Sequence, residues 1–216
     1  IESRYPDGTK PERTLIIIKP ENWRFASARP GEILDMFSQT GLRIIGIKIM
    51  SFTLEQALEF YGPVEAVLKD KLSPVFGKKA RECLEKEFQI KLPDYVGQAL
   101  ADSFGVYYAK DQFYQIVEFM SGQRPDITEN RPVKCMIVVY EGENAVQKIR
   151  NILGPTDPAK APGGTIRREF GSNVMVNAAH ASDSAESFER EKAIVAIEKN
   201  DSLKILEDYI TAVSAS

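Results

Sequence analysis

The stretch Leu15-Ile16-Ile17-Ile18, which Lys19-Pro20 ends, is the starting point for the fold of this 216-residue sequence. Four consecutive apolar residues, most of them β-branched, are typical of a strand that is buried on both faces. Pro20 stops the run, because proline has no backbone N–H to donate to a neighbouring strand. The sequence therefore predicts a buried central strand at residues 15–18.

Further strands and helices follow from apolar spacing and from capping residues. In residues 42–52, Ile45, Ile47 and Ile49 fall on one face and Lys48 on the other, which indicates a half-buried strand. The other predicted elements are a helix at 32–40 closed by Gly41, a helix at 54–61 begun by Thr53, a strand at 133–140, a helix at 144–153 closed by Gly154, a strand at 174–178, and a helix at 185–198 capped by Asp183 or Ser184.

The middle of the chain shows apolar residues at helical spacing. Such stripes are usual for helices that pack into a core, and a cofactor-binding surface is the alternative. Residues 123–131 are polar and contain Pro125, so they are expected to form a loop. The stripes are Phe76, Ala80, Cys83, Leu84 and Phe88; Tyr95, Val96, Ala99, Leu100 and Phe104; and Phe113, Ile116, Val117 and Met120.

The order of elements outside this middle region is strand, helix, strand, strand, helix, strand. An antiparallel sheet with helices on one face is the simplest arrangement for that order. The length of 216 residues suits one large domain that carries an insertion. We therefore expect an α+β fold in a single domain.

Composition excludes several classes of protein. A net charge of −3 argues against a general nucleic-acid binder, and no apolar run is long enough for a membrane-spanning helix. Cys83 and Cys135 form no CxxC pair, which fits a reducing compartment. Residues 1–10 do not have the pattern of a secretory signal, so a cytoplasmic location is expected. A single histidine, His180, excludes metal sites built from histidines alone.

His180 lies in the segment Asn177-Ala-Ala-His180-Ala-Ser182-Asp183, with an alanine on each side of it. One interpretation is a structural histidine whose ring is satisfied by hydrogen bonds at a strand end. The other is a nucleophile, which needs a neutral ring with one nitrogen held by an acceptor. Glu191, eleven residues further on in the next predicted helix, could return to hold that nitrogen.

A second candidate lies in the long loop between residues 154 and 170. Gly163-Gly164-Thr165-Ile166-Arg167-Arg168 combines flexible backbone with two guanidinium groups, whose planar shape suits phosphate oxygens. The alternative is an ordinary solvated basic turn. The preceding Gly154 to Ala161 is not a P-loop, because alanines replace the second glycine and the final Ser or Thr.

These segments together resemble the nucleoside diphosphate kinase family. The segment from Asn177 to Asp183 is similar to the family signature Asn-x-x-His-(Gly/Ala)-Ser-Asp, and the resemblance covers about residues 14–61 and 113–195. The other matching segments are Thr14 to Pro20, Phe60-Tyr61, Arg150 with Leu153-Gly154-Pro155-Thr156, and Gly164-Thr165-Ile166-Arg167.

The resemblance implies a ferredoxin-like α/β sandwich with a four-stranded antiparallel sheet. It also implies a ping-pong transfer of the γ-phosphoryl group from a nucleoside triphosphate to a nucleoside diphosphate. His180 would become phosphohistidine, Glu191 would hydrogen-bond its other ring nitrogen, and Ser182 would support Glu191. These separate roles of nucleophile and supporting residues suit phosphoryl transfer, which depends mainly on positioning and charge stabilisation.

The same resemblance implies the nucleotide contacts. Arg150, Thr156 and Arg167 would bind phosphates with Tyr61 beside them, and Lys19 and Asn177 would hold the ribose hydroxyls and the transferring end of the nucleotide. Phe113 would stack on the base, with Tyr114 as the competing aromatic residue. Mg²⁺ would arrive on the phosphates without ligands from the protein. The expected partners are ATP, GTP, ADP and other nucleotides, and copies of the same chain in a dimer, tetramer or hexamer.

Several positions depart from the family pattern. Glu21 replaces an aspartate after Lys-Pro, and Arg168 replaces a glycine. A helical insertion at about 72–111 and an extra loop at about 123–131 interrupt the helical hairpin expected over the base. The tail at 203–213 is expected to be helical.

Two rival functions remain at this stage. The first is a catalytically weak family member with a regulatory or scaffolding role, which the insertion favours and the intact set of site residues opposes. The second is an RNA-binding module on the same topology, which would need exposed aromatic residues on the sheet, where the predicted strands are mainly aliphatic.

Overall fold

The computed structural model describes residues 11–199. These residues form two compact units. The described parts of residues 1–51 and 134–216 form what we call the sheet unit, and residues 52–133 form the helical unit. The helix expected at 203–213 lies outside the described residues.

The sheet unit contains a four-stranded antiparallel sheet in the order β2-β3-β1-β4. The strands are β1 (Glu12–Ile18), β2 (Arg43–Met50), β3 (Cys135–Gly142) and β4 (Ala179–Ala181). The helices of the two units are α1 (Arg29–Ser38), α2 (Leu54–Phe88), α3 (Asp94–Leu100), α4 (Val106–Ser121), α5 (Ala145–Leu153), α6 (Ile166–Phe170) and α7 (Ala185–Val195). The expected fold class is confirmed, and the run Leu15 to Ile18 is fully buried.

The two faces of the sheet carry different helices. On one face, Ile16 and Ile18 of β1 join a buried core with residues of α1, α5 and α6. Neighbouring strand residues point to opposite faces, so Leu15 and Ile17 face the other side. Helix α7 packs against β1 on that side. Its C-terminal carbonyl groups accept hydrogen bonds from the ammonium group of Lys48, a favourable charge for a helix C-terminus.

The last strand differs from the sequence prediction. Residues 174–178 form bends, and the strand is Ala179–Ala181 with His180 at its centre. The physical reason is the backbone of Ala178, whose φ of 71° is incompatible with an extended strand. The sequence pattern does not predict the short helix α6. Of the two expected caps of α7, Ser184 is the one found, in a capping box with Ser187.

The helical unit begins at Thr53, which caps α2 in a capping box with Gln56. Helix α2 continues through Pro63 and Pro74. It therefore joins the helix expected at 54–61 and the first apolar stripe in one element. The third apolar stripe is buried in α4, and that helix ends at Gly122 with a φ of 80°. No helix among residues 11–199 is long and apolar enough to cross a membrane.

The first two apolar stripes do not form the core of the helical unit. Phe88, Tyr95 and Phe104 are exposed, whereas small residues on the same helices are buried. A Cβ added to Gly77 would lie 2.3 Å from the carbonyl oxygen of Gly97, and one added to Gly105 would lie 2.7 Å from that of Ser73. The helices therefore approach through small residues, which carry little hydropathy signal.

Candidate active site

His180 is the middle residue of β4, next to the central strand β1. Its backbone pairs with Ile17, and its side chain is 25% exposed. The flanking Ala179 and Ala181 point to the opposite face, where they belong to the buried core. The sheet thus fixes the backbone of His180, and the ring extends from the opposite face to the core, where it is partly accessible.

Glu191 reaches the histidine ring from α7. Both of its carboxylate oxygens lie 3.1 Å from Nε2 of His180, and its side chain is only 4% exposed. The hydroxyl of Ser182 donates to Oε2 at 2.7 Å, and Nη2 of Arg190 lies 3.5 Å from Oε1. A carboxylate accepts hydrogen bonds, so this geometry favours the tautomer with the proton on Nε2 and the lone pair on Nδ1.

Lys19 follows β1 and meets Asn177 across the sheet edge. Its Nζ donates to Oδ1 of Asn177 at 2.9 Å and to the carbonyl oxygen of Met175 at 2.5 Å. Burial lowers the pKa of Lys19 from 10.5 to about 8; the nearby Glu21 carboxylate opposes this shift and Arg167 adds to it. The ammonium group therefore lies in a nearly dry, polar pocket.

The amide group of Asn177 connects two loops. Its Nδ2 donates to the carbonyl oxygen of Thr156 at 3.1 Å and to that of Val174 at 2.9 Å. Its Oδ1 accepts from Lys19, so both ends of the buried side chain are used. Thr156 is thereby held near the turn that precedes His180.

Arg167 extends from the short helix α6 toward the same region. Its Nη1 donates to the carbonyl oxygen of Gly154 at 2.9 Å, and its Nη2 donates to that of Ala179 at 3.1 Å. These contacts place the guanidinium group beside the residue that precedes His180. The adjacent Arg168 is exposed, and its Nη1 lies 3.4 Å from the carbonyl oxygen of Pro158.

Arg150 lies in the last turn of α5 and is exposed. The hydrogen bond from Ser187 lowers the pKa of Asp183, and the positive charge of Arg150 adds to this effect. Arg150 is therefore electrostatically close to the segment that follows Ser182. The structure thus brings eight of the ten expected site residues into one region of the sheet unit.

The remaining two expected residues, Tyr61 and Phe113, belong to the helical unit. Tyr61 is buried, and its ring centroid lies 5.0 Å from that of Phe60. Phe113 is only 2% exposed, whereas the neighbouring Tyr114 is partly accessible, with the cations of Lys110 and Arg124 over its ring.

Two polar residues close to the site are not marked by any motif. Glu21 differs from the family pattern, and Asn22 belongs to no recognised pattern. Both hydrogen-bond to the backbone of Ala178, two residues before His180. Their position directly after Lys19-Pro20 is the one sequence signal that could have drawn attention to them.

The described residues also bear on metal binding. No group of three or more His, Cys, Asp or Glu side chains within residues 11–199 is arranged to hold a metal ion. A Mg²⁺ ion here would need oxygen ligands from another source, such as nucleotide phosphates and water, which this ion prefers.

Comparison with known proteins agrees with the resemblance read from the sequence. The family model described as nucleoside diphosphate kinase matches residues 12–74 and 85–200. Curated proteins named nucleoside diphosphate kinase include one from Staphylothermus marinus, 31% identical over 85% of this chain and 92% of the relative. Another, from Bdellovibrio bacteriovorus, is 33% identical over 85% of this chain and 91% of the relative.

Solved structures give the same relationship. A nucleoside diphosphate kinase from Aquifex aeolicus is 30% identical, with a TM-score of 0.55, over 86% of this chain and 94% of that protein. An NDP kinase from Pyrobaculum aerophilum is 28% identical, with a TM-score of 0.58, over 85% and 94% respectively.

Proposed function

Because this chain belongs to the nucleoside diphosphate kinase family, we propose that it transfers the γ-phosphoryl group of a nucleoside triphosphate to a nucleoside diphosphate through His180. Its relatives are named for this activity, nucleoside diphosphate kinase. The observation that carries the residue assignment is the contact of Nε2 of His180 with the buried carboxylate of Glu191.

In the first half-reaction, the lone pair on Nδ1 of His180 attacks the γ-phosphorus. A P–N bond forms, the bond from this phosphorus to the bridging oxygen breaks, and the nucleoside diphosphate leaves with that electron pair. The ring becomes positively charged, and Glu191 stabilises this charge through Nε2. In the second half-reaction, a terminal phosphate oxygen of another diphosphate attacks the phosphorus of phosphohistidine. A P–O bond forms, the P–N bond breaks, and its electron pair returns to Nδ1, so the ring is neutral again.

Arg150, Thr156 and Arg167 are proposed to bind the phosphates. Guanidinium groups match phosphate oxygens in shape and charge, and they stabilise the charge that spreads over the transferred group. The two backbone hydrogen bonds of Arg167 support this role, since a guanidinium group that is already oriented loses less freedom when nucleotide binds.

Lys19 and Asn177 are proposed to hold the ribose hydroxyls and the transferring end of the nucleotide. Their mutual hydrogen bond supports a shared role at one end of the ligand. Tyr61 is proposed to lie beside the phosphates and Phe113 to stack on the base. The burial of Phe113 leaves Tyr114 as the alternative stacking residue, and replacing each with Ala distinguishes them by the KM for nucleotide.

Mg²⁺ is the proposed cofactor, bound through the nucleotide phosphates, where it neutralises charge. ATP, GTP and other nucleoside triphosphates are the proposed donors, and ADP and other diphosphates the acceptors. We further propose one kinase domain with an insertion at about 72–111 and an extra loop at about 123–131, a cytoplasmic location, a homo-oligomer, and no nucleic-acid or membrane partner.

The decisive experiment uses γ-labelled ATP and Mg²⁺. We expect label in a bond that acids break and bases do not, and we expect the His180→Ala variant to take up none. Lys79→Ala, at an exposed position of α2, is the matched control and should be labelled like the wild type. Label in the His180→Ala variant would contradict the mechanism, and an unlabelled wild type would favour the regulatory alternative.

A further inference from the structure

The residue two positions before His180 has an unusual backbone. Ala178 is fully buried and has a φ of 71°, a value that residues with a Cβ rarely adopt. The N–H of Ala179 donates to the carbonyl oxygen of Asn177 at 2.9 Å. This hydrogen bond joins the two neighbours of Ala178. With its positive φ, Ala178 is therefore the central residue of a γ-turn of the rare and strained kind.

The surroundings hold this turn through both polar atoms of Ala178. Its N–H donates to Oε1 of Glu21 at 2.9 Å. Its carbonyl oxygen accepts from the backbone N–H of Lys19 at 3.0 Å and from Nδ2 of Asn22 at 2.8 Å. Three hydrogen bonds from one short segment therefore hold a single strained residue.

The holding segment is itself well ordered. Residues Pro20–Trp23 form a 3₁₀ turn directly after β1. The side chain of Asn22 is buried, and its Nδ2 also donates to the carbonyl oxygen of Lys19 at 3.0 Å. Glu21 and Asn22 are thus presented to Ala178 by a turn that is fixed to the central strand.

The turn at Ala178 separates two residues of the proposed site. Asn177 faces Lys19 before the turn, and His180 faces Glu191 after it. An extended Ala178 would continue the strand and change the direction in which Asn177 and His180 point relative to each other. The strained conformation is therefore what allows both contacts to exist together.

We infer that Glu21 and Asn22 are positioning residues, which hold Ala178 in its left-handed conformation and thereby set the orientation of His180 toward Glu191. The consequence for phosphoryl transfer rests on the proposed function. Glu21 and Asn22 hydrogen-bond to the backbone of Ala178, so the effect acts through the backbone. Small errors in the placement of a nucleophile reduce rates strongly, because transfer requires near-attack geometry.

The first test measures the ring itself. Since His180 is the single histidine of the chain, its imidazole signals in ¹⁵N–¹H NMR spectra need no assignment by mutation. We expect one Nε2–H tautomer in the wild type and a mixture of tautomers in Asn22→Ala. An unchanged imidazole spectrum in Asn22→Ala would overturn the inference, whatever the enzymatic activity.

The second test uses glycine, which adopts positive φ without strain. In single turnovers at saturating ATP and Mg²⁺, Asn22→Ala should slow phosphohistidine formation by about tenfold or more. In an Ala178→Gly background the same change should have a much smaller effect, and the NMR spectrum should return to one tautomer. An equal loss in both backgrounds, or a loss confined to thermal stability, would refute the positioning role.

Three further variants complete the design. Glu21→Gln keeps an oxygen that can accept from Ala178, so its imidazole spectrum should be close to that of the wild type, whereas Glu21→Ala should give the same mixture of tautomers as Asn22→Ala. Gln147→Ala removes an amide side chain that donates on the exposed surface of α5, and it should change neither readout. If the wild type forms no phosphohistidine, the proposed function fails, and the NMR comparison still decides the positioning role.

Discussion

At the scale of single residues, Lys19 holds a charge in a nearly dry position between two strand ends. Its pKa of about 8 reflects burial above all, with Glu21 restoring part of the loss. This cation, which is proposed to bind nucleotide, thus becomes neutral close to the upper end of the physiological pH range. The side-chain contacts with Asn177 and Met175 keep the ammonium group in place.

The charge of Lys19 predicts a pH dependence. We expect kcat/KM to fall as pH rises through about 8, because kcat/KM reports the free enzyme and neutral Lys19 binds nucleotide more weakly. Lys19→Arg keeps its charge, so its profile should lack this decline even if its activity at pH 7 is lower. A decline of the same midpoint in Lys19→Arg would assign it to another group.

The same shift has a consequence for stability with a definite sign. The folded-state pKa lies below the unfolded value of 10.5, so between about pH 8 and 10.5 the unfolded chain binds more protons. The contribution of Lys19 to the free energy of unfolding should therefore rise with pH across this window. Comparing urea denaturation of the wild type and Lys19→Met at several pH values isolates this contribution.

Replacing Ser182 and replacing Ser184 should affect different properties, the first mainly kcat and the second mainly the free energy of unfolding. Ser182 donates to the charged Glu191, and a hydrogen bond to a charged group contributes about 1.5–3 kcal/mol, so Ser182→Ala should lower kcat by about tenfold. Ser184 caps α7, and Ser184→Ala should lower the free energy of unfolding by about 1 kcal/mol with kcat nearly unchanged. Steady-state kinetics and urea denaturation of both variants check this contrast, and a reversed pattern would contradict it.

At the scale of elements, the sequence predicts what local patterns control. The buried run of β1, the Thr53 cap and the Gly154 terminator are all signalled within a few residues, and all are found. The strand expected at 174–178 fails, because the turn at Ala178 depends on Glu21, which is 157 residues away in sequence. No local pattern in the C-terminal half can report that contact.

The helical unit also shows that a local sequence pattern does not determine which residues pack together. Its segments approach closely at Gly77, Ala101 and Gly105, small residues that add little to an apolar stripe. Apolar periodicity in α2 and α3 therefore selects side chains that are exposed or only partly buried. In α4, where Phe113 and Val117 are buried, the same reasoning succeeds.

This packing predicts opposite effects for two glycines of α2. Gly77→Ala should lower the free energy of unfolding by about 1–3 kcal/mol, because the new Cβ would collide with the backbone of Gly97. Gly62→Ala adds a Cβ with nothing within 4 Å and should raise the same quantity by about 0.5–1 kcal/mol. Urea denaturation followed by circular dichroism measures both, and stabilisation by Gly77→Ala would show that the helices pack differently.

At the scale of the whole molecule, the family signature selects residues that the fold brings into one unit. Eight expected residues lie together in the sheet unit, although they come from both ends of the chain. What the sequence could not reveal are contacts to backbone atoms, above all the hydrogen bond from the Ala178 N–H to Glu21 and the one from Arg167 to the Ala179 carbonyl oxygen.

The two thiols offer a measure of unfolding for the sheet unit, with the exposed thiol as an internal reference. Cys83 is exposed, whereas Cys135 is buried in β3 and burial raises its pKa to about 12. A thiol reagent should therefore label one cysteine in the native protein at neutral pH and two in urea, since only a thiolate reacts readily. Mass spectrometry after proteolysis checks the sites. Rapid labelling of Cys135 in the native protein would contradict the buried position.

The pairing of Met50 with Cys135 at the end of the β2–β3 ladder has an evolutionary consequence. Residues that pair across antiparallel strands lie about 5 Å apart, so the chain leaves the sheet and re-enters it at neighbouring points. The number of residues between these points can therefore change without shifting any strand register. Related proteins can then differ in length within this segment and still keep Tyr61 and Phe113, which are proposed to contact nucleotide, and the strand that carries His180.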